Sequence, residues 1–204
     1  MRNYTNSIQA LWDFSKNAKV FILIHKMDMV PEKERAKVFE EKKAQITEKS
    51  GAFKIEVFRT SIWDETLYQA WSKITHSLIP KIDKIENGLT QLCKLCSADE
   101  LVLFEKSTFL EISHIEAKLH KDPHRFEKIS NIIKQFKLSL FSTNFQFQEM
   151  MVKNSKFRAY LIDFTRSTYL MVIISNQDVE ETALKMNIDA LKPYYDKIVS
   201  SSMS

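Results

Sequence analysis

The chain has 204 residues, of which 44% are hydrophobic and 27% are charged, so it can bury the core of one ordinary domain or two small ones. Its net charge of +4 comes from 30 basic and 26 acidic residues that are interspersed along the sequence. This mixture is typical of a solvated surface and argues against a nucleic-acid-binding protein, which concentrates basic residues on one face.

The sequence shows no feature of secretion or membrane insertion. No apolar segment follows the amino terminus, and the longest early apolar run, Val20–Ile24, is far shorter than the ~20 residues that a membrane span needs. The only two cysteines, Cys93 and Cys96, make no disulfide framework, which suggests a reducing compartment. We therefore expect a cytoplasmic protein that reaches a membrane only through a partner.

The first 80 residues alternate between strand and helix patterns. Val20–Ile24 is a continuous apolar run that predicts a buried parallel strand, and residues 53–59 predict a second strand. A charged helix is predicted to begin at Pro31 and to end at Gly51. A further helix before Pro80 carries a predicted inward stripe of Leu67, Ala70, Trp71, Ile74 and Leu78. This order indicates α/β architecture, as part of a doubly wound sheet.

The pattern changes after Pro80, where we place a boundary between two domains, residues 1–80 and 81–204. The predicted elements of the second domain are a helix over 82–96, strands over 101–104 and 109–112, a helix over 124–140, strands over 145–152, 157–164 and 169–174, and a helix over 179–198. The order α-β-β-α-β-β-β-α implies one mostly antiparallel sheet with helices on its faces, and residues 169–174 predict a central strand.

A polar loop follows the first predicted strand, at the end of the sheet where ligands bind in α/β folds. Residues 25–28 (HKMD) have the form K-x-D. The carboxylate of Asp28 can accept two hydrogen bonds from guanine, one from the ring N–H and one from the exocyclic amino group, a pair that adenine does not offer. The aliphatic stem of Lys26 can lie over the purine and the ribose.

A second polar loop, residues 60–62 (TSI), follows the second predicted strand. There a backbone N–H beside Ser61 and Ile62 can reach the carbonyl oxygen of guanine. A K-x-D motif alone is common on solvated surface turns, and that interpretation stays open for the motif by itself. The position of both loops after neighbouring strands favours guanine recognition.

Three segments of the chain resemble the Rag GTPases, amino-acid-responsive regulators of TOR kinase signalling. They are residues 20–30 (VFILIHKMDMV), 58–72 (FRTSIWDETLYQAWS) and 124–137 (HRFEKISNIIKQFK). Residues 61–65 (SIWDE) are similar to the A/B-type subunits, and His25 precedes K-x-D where other GTPases have Asn, as in this family. The resemblance extends over about residues 11–198.

The resemblance implies a site, a fold and partners. The implied guanine-binding residues for GTP or GDP are His25, Lys26, Asp28, Ser61 and Ile62. The implied fold is a partial P-loop GTPase-type sheet followed by an α+β roadblock/longin-like domain. Rag subunits pair through that domain, so residues 81–204 are expected to bind a C/D-type subunit. The heterodimer is expected to dock on a lysosomal scaffold, to act on the TOR complex, and to occur at the lysosomal or vacuolar surface and in the nucleus.

The sequence departs from a complete Rag GTPase in its phosphate-binding part. Such a protein carries a G-x-x-x-x-G-K-[ST] loop and holds Mg²⁺, whereas this chain has only two glycines, Gly51 and Gly88, and neither lies in such a loop. We therefore expect an amino-terminally truncated GTP-binding domain without a magnesium site, which neither hydrolyses GTP nor holds it tightly. The alternative is a non-enzymatic heterodimerisation module that has lost nucleotide binding.

Two further patterns have ordinary structural explanations. The spacing Cys93-x-x-Cys96 allows a redox or half-zinc motif, but no second cysteine pair exists and thiols on a helix usually pack. His114, His120 and His124 match no zinc-binding spacing and are interpreted as solvated. We expect no metal site and no catalytic nucleophile.

Overall fold

The computed structural model describes residues 2–79, 81–118, 129–135, 149–153 and 155–200. The chain forms two compact units, Met1–Trp71 and Ser72–Ser204, which divide inside one helix. The boundary predicted at Pro80 stays a prediction, and Pro80 itself lies outside the described residues. No helix in the described ranges is both long and apolar enough to cross a membrane.

The first unit contains the predicted alternation of strands and helices. Its elements are α1 (Arg2–Phe14), β1 (Val20–Ile24), a 3-10 helix (Met27–Met29), α2 (Glu32–Ser50), β2 (Ile55–Arg59) and the start of α3 (Thr66–Leu78). β1 and β2 are parallel, with Val20 opposite Ile55 and Ile24 opposite Arg59. Helix α2 ends as predicted at Gly51, whose positive φ of 59° is one that glycine adopts without a Cβ clash.

Two expectations about burial in this part of the chain were wrong. All five residues of β1 are half-buried rather than buried, because β1 pairs with β2 alone among the described strands. Within the predicted stripe of α3, Ala70 and Ile74 are buried, but Trp71 and Leu78 are 46% and 56% exposed. Helical spacing places residues on one face but does not determine how much of that face a neighbouring element covers.

The second unit has the predicted order of elements. It comprises α4 (Ile82–Leu95), β3 (Glu100–Glu105), β4 (Glu111–Glu116), α5 (129–135), β5 (Glu149–Lys153), β6 (Arg158–Asp163), β7 (Thr168–Ile174) and α6 (Glu181–Ser200). The strands form one antiparallel sheet in the order β4-β3-β7-β6-β5, which confirms the central position of β7. Helices α4 and α6 pack on one face with a core that includes Leu89, Leu92, Leu170, Leu184 and Ile188.

The second strand of this sheet lies further along the chain than predicted. Residues 109–112 were expected to form it, but β4 begins at Glu111. Phe109 has a left-handed φ of 54° and is fully buried, and its ring stacks on Tyr169 with centroids 5.2 Å apart. Phe109 is therefore apolar because it packs into the core from a turn. Its apolar character does not mean that it lies in an extended strand.

Part of the predicted second domain falls outside the described residues. Of the helix predicted over 124–140, only residues 129–135 are described, and they are helical. Of the strand predicted over 145–152, the described residues 149–152 lie in β5.

Candidate functional site

The candidate site lies where β1 and β2 end. Because the two strands are parallel, their carboxyl ends meet at the same edge of the sheet, and the loops that follow them are neighbours. Two backbone hydrogen bonds join these loops: Thr60 N–H donates to the Ile24 carbonyl (2.9 Å), and Met27 N–H donates to the Thr60 carbonyl (3.2 Å). The backbone thus fixes the loop containing Asp28 against the loop containing Ser61.

The first loop is shaped by Lys26 and Met27. Lys26 has a left-handed φ of 62°, which is uncommon for a residue other than glycine and reverses the chain after β1. The Met27 side chain is buried, so it anchors the 3-10 turn, while Lys26 stays exposed. This geometry places Asp28, half-buried, at the edge of the sheet.

Asp28 and Ser61 form a direct contact between the loops. The Ser61 hydroxyl donates to Oδ1 of Asp28 at 2.6 Å and accepts the backbone N–H of Trp63 at 3.0 Å. The Ser61 N–H donates to Oγ1 of Thr66 at 2.9 Å, and Ser61 is fully buried. An ionised carboxylate has about four acceptor positions, so the single bond from Ser61 orients Asp28 and leaves capacity for a ligand's N–H groups.

The other three predicted site residues have different surroundings. His25 is exposed, and its Nδ1 lies 3.1 Å from Oγ1 of the buried Thr60. This hydrogen bond links the two loops. Lys26 is exposed, and Ile62 is 64% exposed. The structure therefore brings Asp28 and Ser61 into contact and leaves Lys26 and Ile62 at the surface next to them in sequence.

Arg35 is a residue of this region that the sequence did not indicate. Its Nε donates to the Val30 carbonyl at 2.9 Å, and its Nη2 donates to the Asp28 carbonyl at 3.3 Å. Both acceptors are backbone oxygens, which have no sequence signature. In the sequence Arg35 is one charge among many in α2, and no pattern distinguished it.

The two cysteines pack inside the second unit, as predicted. Both are free and buried, and Cys93 Sγ donates to the Ala98 carbonyl at 3.3 Å. Burial raises the pKa of Cys96 to about 11, and burial together with the charges of Asp99 and Glu100 raises the pKa of Cys93. Both thiols are therefore protonated near neutral pH, which disfavours a nucleophilic or metal-binding role.

The histidines and acidic side chains of the described residues form no alternative metal site. His114 Nδ1 lies 2.6 Å from Oε1 of Glu111, while His120 and His124 lie outside the described residues. Within the part of the chain that the structure describes, no three His, Cys, Asp or Glu side chains are grouped so that they could hold a metal ion.

Sequence comparisons relate the chain to known proteins. The family model described as "Gtr1/RagA G protein conserved region" matches residues 1–133. The chain is 51% identical over 202 residues to "Ras-related GTP-binding protein A" of Dictyostelium discoideum, covering 99% of this chain and 67% of that protein. It is 44% identical over 198 residues to "Ras-related GTP-binding protein B" of Rattus norvegicus, covering 97% and 53%. The chain thus spans between about half and two thirds of the length of these relatives.

A comparison with solved structures finds a more distant similarity. The structure described as "MglB with tetrameric arrangement" is similar with a TM-score of 0.48 and 13% sequence identity, covering 59% of this chain and 90% of that chain. The fold of the second unit is defined by its own strand order and not by this similarity.

Proposed function

Since the chain belongs to the Gtr1/RagA family, the A/B-type branch of the Rag GTPases, we propose that it reads the guanine base of GTP or GDP through Asp28. We further propose that it acts as a Rag-type regulatory subunit in amino-acid signalling to the TOR kinase complex. The observation that carries the first proposal is the Asp28 carboxylate, held at 2.6 Å by a buried hydroxyl at the carboxyl edge of two parallel strands.

The chemistry of this pair suits guanine. One carboxylate oxygen can accept the ring N–H and the other the exocyclic amino group, and both bonds are charge-assisted. Because the Ser61 hydroxyl donates to Asp28, the carboxylate is held in one orientation before a base arrives. A pre-oriented group loses less entropy on binding, so each hydrogen bond contributes more to affinity.

The neighbouring residues complete the proposed base site. The aliphatic stem of the exposed Lys26 covers the purine, and a backbone N–H beside Ile62 donates to the guanine carbonyl oxygen. His25 acts through its contact with Thr60, which keeps the two loops together. The 204 residues contain no G-x-x-x-x-G-K-[ST] sequence, so these residues supply base contacts only, and the chain by itself binds nucleotide weakly and does not hydrolyse it.

A nucleotide competition assay tests this proposal. A P-loop-bearing segment from a complete Rag GTPase is joined ahead of this chain, so that phosphate contacts are available, and displacement of a fluorescent GDP is measured. We expect GDP to compete at least 100-fold better than ADP, because adenine lacks both donors. Asp28→Ala should remove this preference, whereas Asp13→Ala, an exposed carboxylate on α1, should keep it. Equal competition by GDP and ADP in the wild type would contradict the proposal.

A second function, partner binding, is favoured by the edge strand β5. In the described sheet β5 pairs with β6 on one side only, and Met151 and Val152 on it are 51% and 48% exposed. An unpaired edge with apolar side chains is a typical surface for pairing with another sheet. We propose that the second unit binds a C/D-type Rag subunit there and that the heterodimer docks on a lysosomal scaffold.

Size-exclusion chromatography of the full chain mixed with a C/D-type subunit tests partner binding. We expect a heterodimer peak for the wild type. Val152→Asp should lower the affinity between the subunits by about tenfold or more, because a charge would be buried at the interface. The matched control is Met186→Asp on α6, where the native residue is 67% exposed. Absence of a complex with the wild type would reject the dimerisation proposal, and equal weakening by both variants would reject the position on β5.

A further inference from the structure

Arg35 holds the loop that carries Asp28 through its backbone. It lies in the first turn of α2 and is half-buried. Its guanidinium makes two hydrogen bonds to carbonyls of the preceding loop, from Nε to Val30 at 2.9 Å and from Nη2 to Asp28 at 3.3 Å. These two bonds join the start of the helix to the part of the loop that contains the proposed guanine-reading residue.

The two carbonyls need an outside donor because of the local backbone. The 3-10 helix has only three residues, and its hydrogen bonds run from Met29 N–H to the Lys26 carbonyl (3.1 Å) and from Val30 N–H to the Met27 carbonyl (3.2 Å). The carbonyls of Asp28 and Val30 come after these bonds, at the end of the turn, where helical carbonyls have no partner within the helix. The planar guanidinium presents several donors in a fixed geometry, so it can satisfy both oxygens at once.

Asp28 is therefore fixed from two sides. Ser61 orients the carboxylate through the 2.6 Å bond to Oδ1, and Arg35 holds the backbone carbonyl of Asp28, in addition to the backbone bonds of the loop itself. A bidentate contact with a base requires both, since a group has to be held to within about 0.5 Å for two hydrogen bonds to form together. If the bond from Arg35 to the Asp28 carbonyl is lost, the hydrogen bond from the exocyclic amino group of guanine should weaken more than the total affinity for the nucleotide does.

We propose that Arg35 is a positioning residue for guanine recognition: it holds the Asp28 backbone so that both carboxylate oxygens meet the base. This inference rests on the proposed reading of guanine by Asp28. It assigns to Arg35 no contact with the nucleotide. A purely structural role would lower the stability of the loop without changing which base the folded protein prefers.

The test compares GDP with IDP, whose hypoxanthine base keeps the ring N–H but lacks the amino group. Affinities are measured in the same P-loop-bearing form of the chain for the wild type, Arg35→Ala, Arg35→Lys and Lys37→Ala. Lys37 is exposed one half-turn further along α2 and is the matched control. In the wild type we expect GDP to bind about tenfold or more tightly than IDP.

Arg35→Ala should reduce the GDP-to-IDP preference by about tenfold, which corresponds to loss of the second base contact. Arg35→Lys should give an intermediate GDP-to-IDP preference, because an ammonium group reaches one carbonyl more easily than two. This variant still allows the preference to be measured if Arg35→Ala does not fold. Lys37→Ala should leave the preference unchanged. In an Asp28→Ala background the GDP-to-IDP preference should be absent, and Arg35→Ala should not change it further.

The outcomes separate this inference from the function it rests on. If the wild type shows no preference for GDP over IDP, guanine recognition by Asp28 is wrong, and the role of Arg35 is wrong with it. If the wild type prefers GDP and both Arg35 variants keep that preference while losing only thermal stability, Arg35 is structural and this inference alone is overturned. A reduced preference that persists without Asp28 would likewise overturn it.

Discussion

The Asp28 carboxylate and the Ser61 hydroxyl lie 2.6 Å apart although 33 positions separate them in the sequence. We predict that Ser61→Ala lowers GDP affinity by about tenfold in the P-loop-bearing form, because the carboxylate is no longer held in one orientation. The same change removes the acceptor of the Trp63 N–H and should lower the free energy of unfolding by about 1–2 kcal/mol. Isothermal titration and denaturant unfolding measure the two effects.

Ser7→Ala is the control for this change, since the Ser7 hydroxyl is exposed and donates to the Asn3 carbonyl within α1. It should change neither the free energy of GDP binding nor the free energy of unfolding by more than about 0.5 kcal/mol. Unchanged GDP affinity in Ser61→Ala would show that Asp28 needs no support from the second loop.

Gly88 and Tyr195 bring α4 and α6 into close contact. A Cβ at position 88 would lie 2.5 Å from the Tyr195 hydroxyl oxygen and 3.1 Å from Cζ, and that hydroxyl donates to the Ile85 carbonyl at 3.3 Å. Gly88→Ala should therefore lower the free energy of unfolding by about 1–2 kcal/mol, since overpacking outweighs the better helix propensity of alanine. Circular dichroism is the suitable probe, because all three tryptophans lie at or before Trp71.

Removing the clashing atom should rescue this variant. Gly88→Ala in a Tyr195→Phe background should cost less than it does in the wild type, because the nearest oxygen is gone. Asn87→Ala, at an exposed neighbouring position of α4, should change stability by no more than about 0.5 kcal/mol. An equal cost of Gly88→Ala in both backgrounds would mean that Tyr195 is not the obstacle.

The buried thiols predict a specific loss of stability at alkaline pH. Burial raises the pKa of Cys96 from 9.0 to about 11, so between these values the unfolded chain has lost a proton that the folded chain keeps. The free energy of unfolding of the wild type should fall relative to Cys96→Ala as pH rises from about 9 to about 11. At pH 8 both thiols should react slowly with Ellman's reagent until denaturant is added. Rapid reaction of the native protein would contradict their burial.

Asp99 predicts a loss of stability at acid pH. Burial opposes its ionisation, but hydrogen bonds from Lys118 and Ser175 outweigh burial and lower the pKa of Asp99 below 3.8. Asp99→Asn should lower the free energy of unfolding by about 1–2 kcal/mol near neutral pH, and the difference from the wild type should shrink as pH falls below about 4. Denaturant midpoints between pH 2.5 and 7 measure this.

The matched change is Asp178→Asn, at an exposed carboxylate on the chain between β7 and α6. It should change the free energy of unfolding near neutral pH by no more than about 0.5 kcal/mol. A constant difference between the wild type and Asp99→Asn across the whole pH range would show that the ionised form of Asp99 is not the stabilising one.

Much of the fold could be predicted because its strands are apolar runs and its helices end at recognisable residues. Gly51 ends α2 with a positive φ, as its position after a charged helix indicates. Helix α1 was not predicted, since its first half is rich in Asn, Thr and Ser, which favour helices weakly. Tertiary contacts support it: Tyr4 hydroxyl and Ser50 Oγ lie 2.6 Å apart, and Trp12 packs edge-on against Phe53.

The candidate site could be located from the sequence but not assembled in detail. Parallel strands predict that residues 25–28 and 60–62 meet at one edge, and the structure joins them through Asp28 and Ser61. That His25 contacts Thr60 and that Arg35 binds carbonyl oxygens depend on exact backbone positions, which no residue pattern specifies.

The substitution Asp28→Asn changes the hydrogen-bonding groups through which Asp28 is proposed to recognise guanine. An asparagine amide keeps one acceptor but gains a donor, which matches the oxygen that xanthine has in place of the guanine amino group. In a competition assay on the P-loop-bearing form, we predict that the variant prefers XDP over GDP while the wild type prefers GDP. An unchanged preference for GDP in Asp28→Asn would contradict guanine recognition by Asp28.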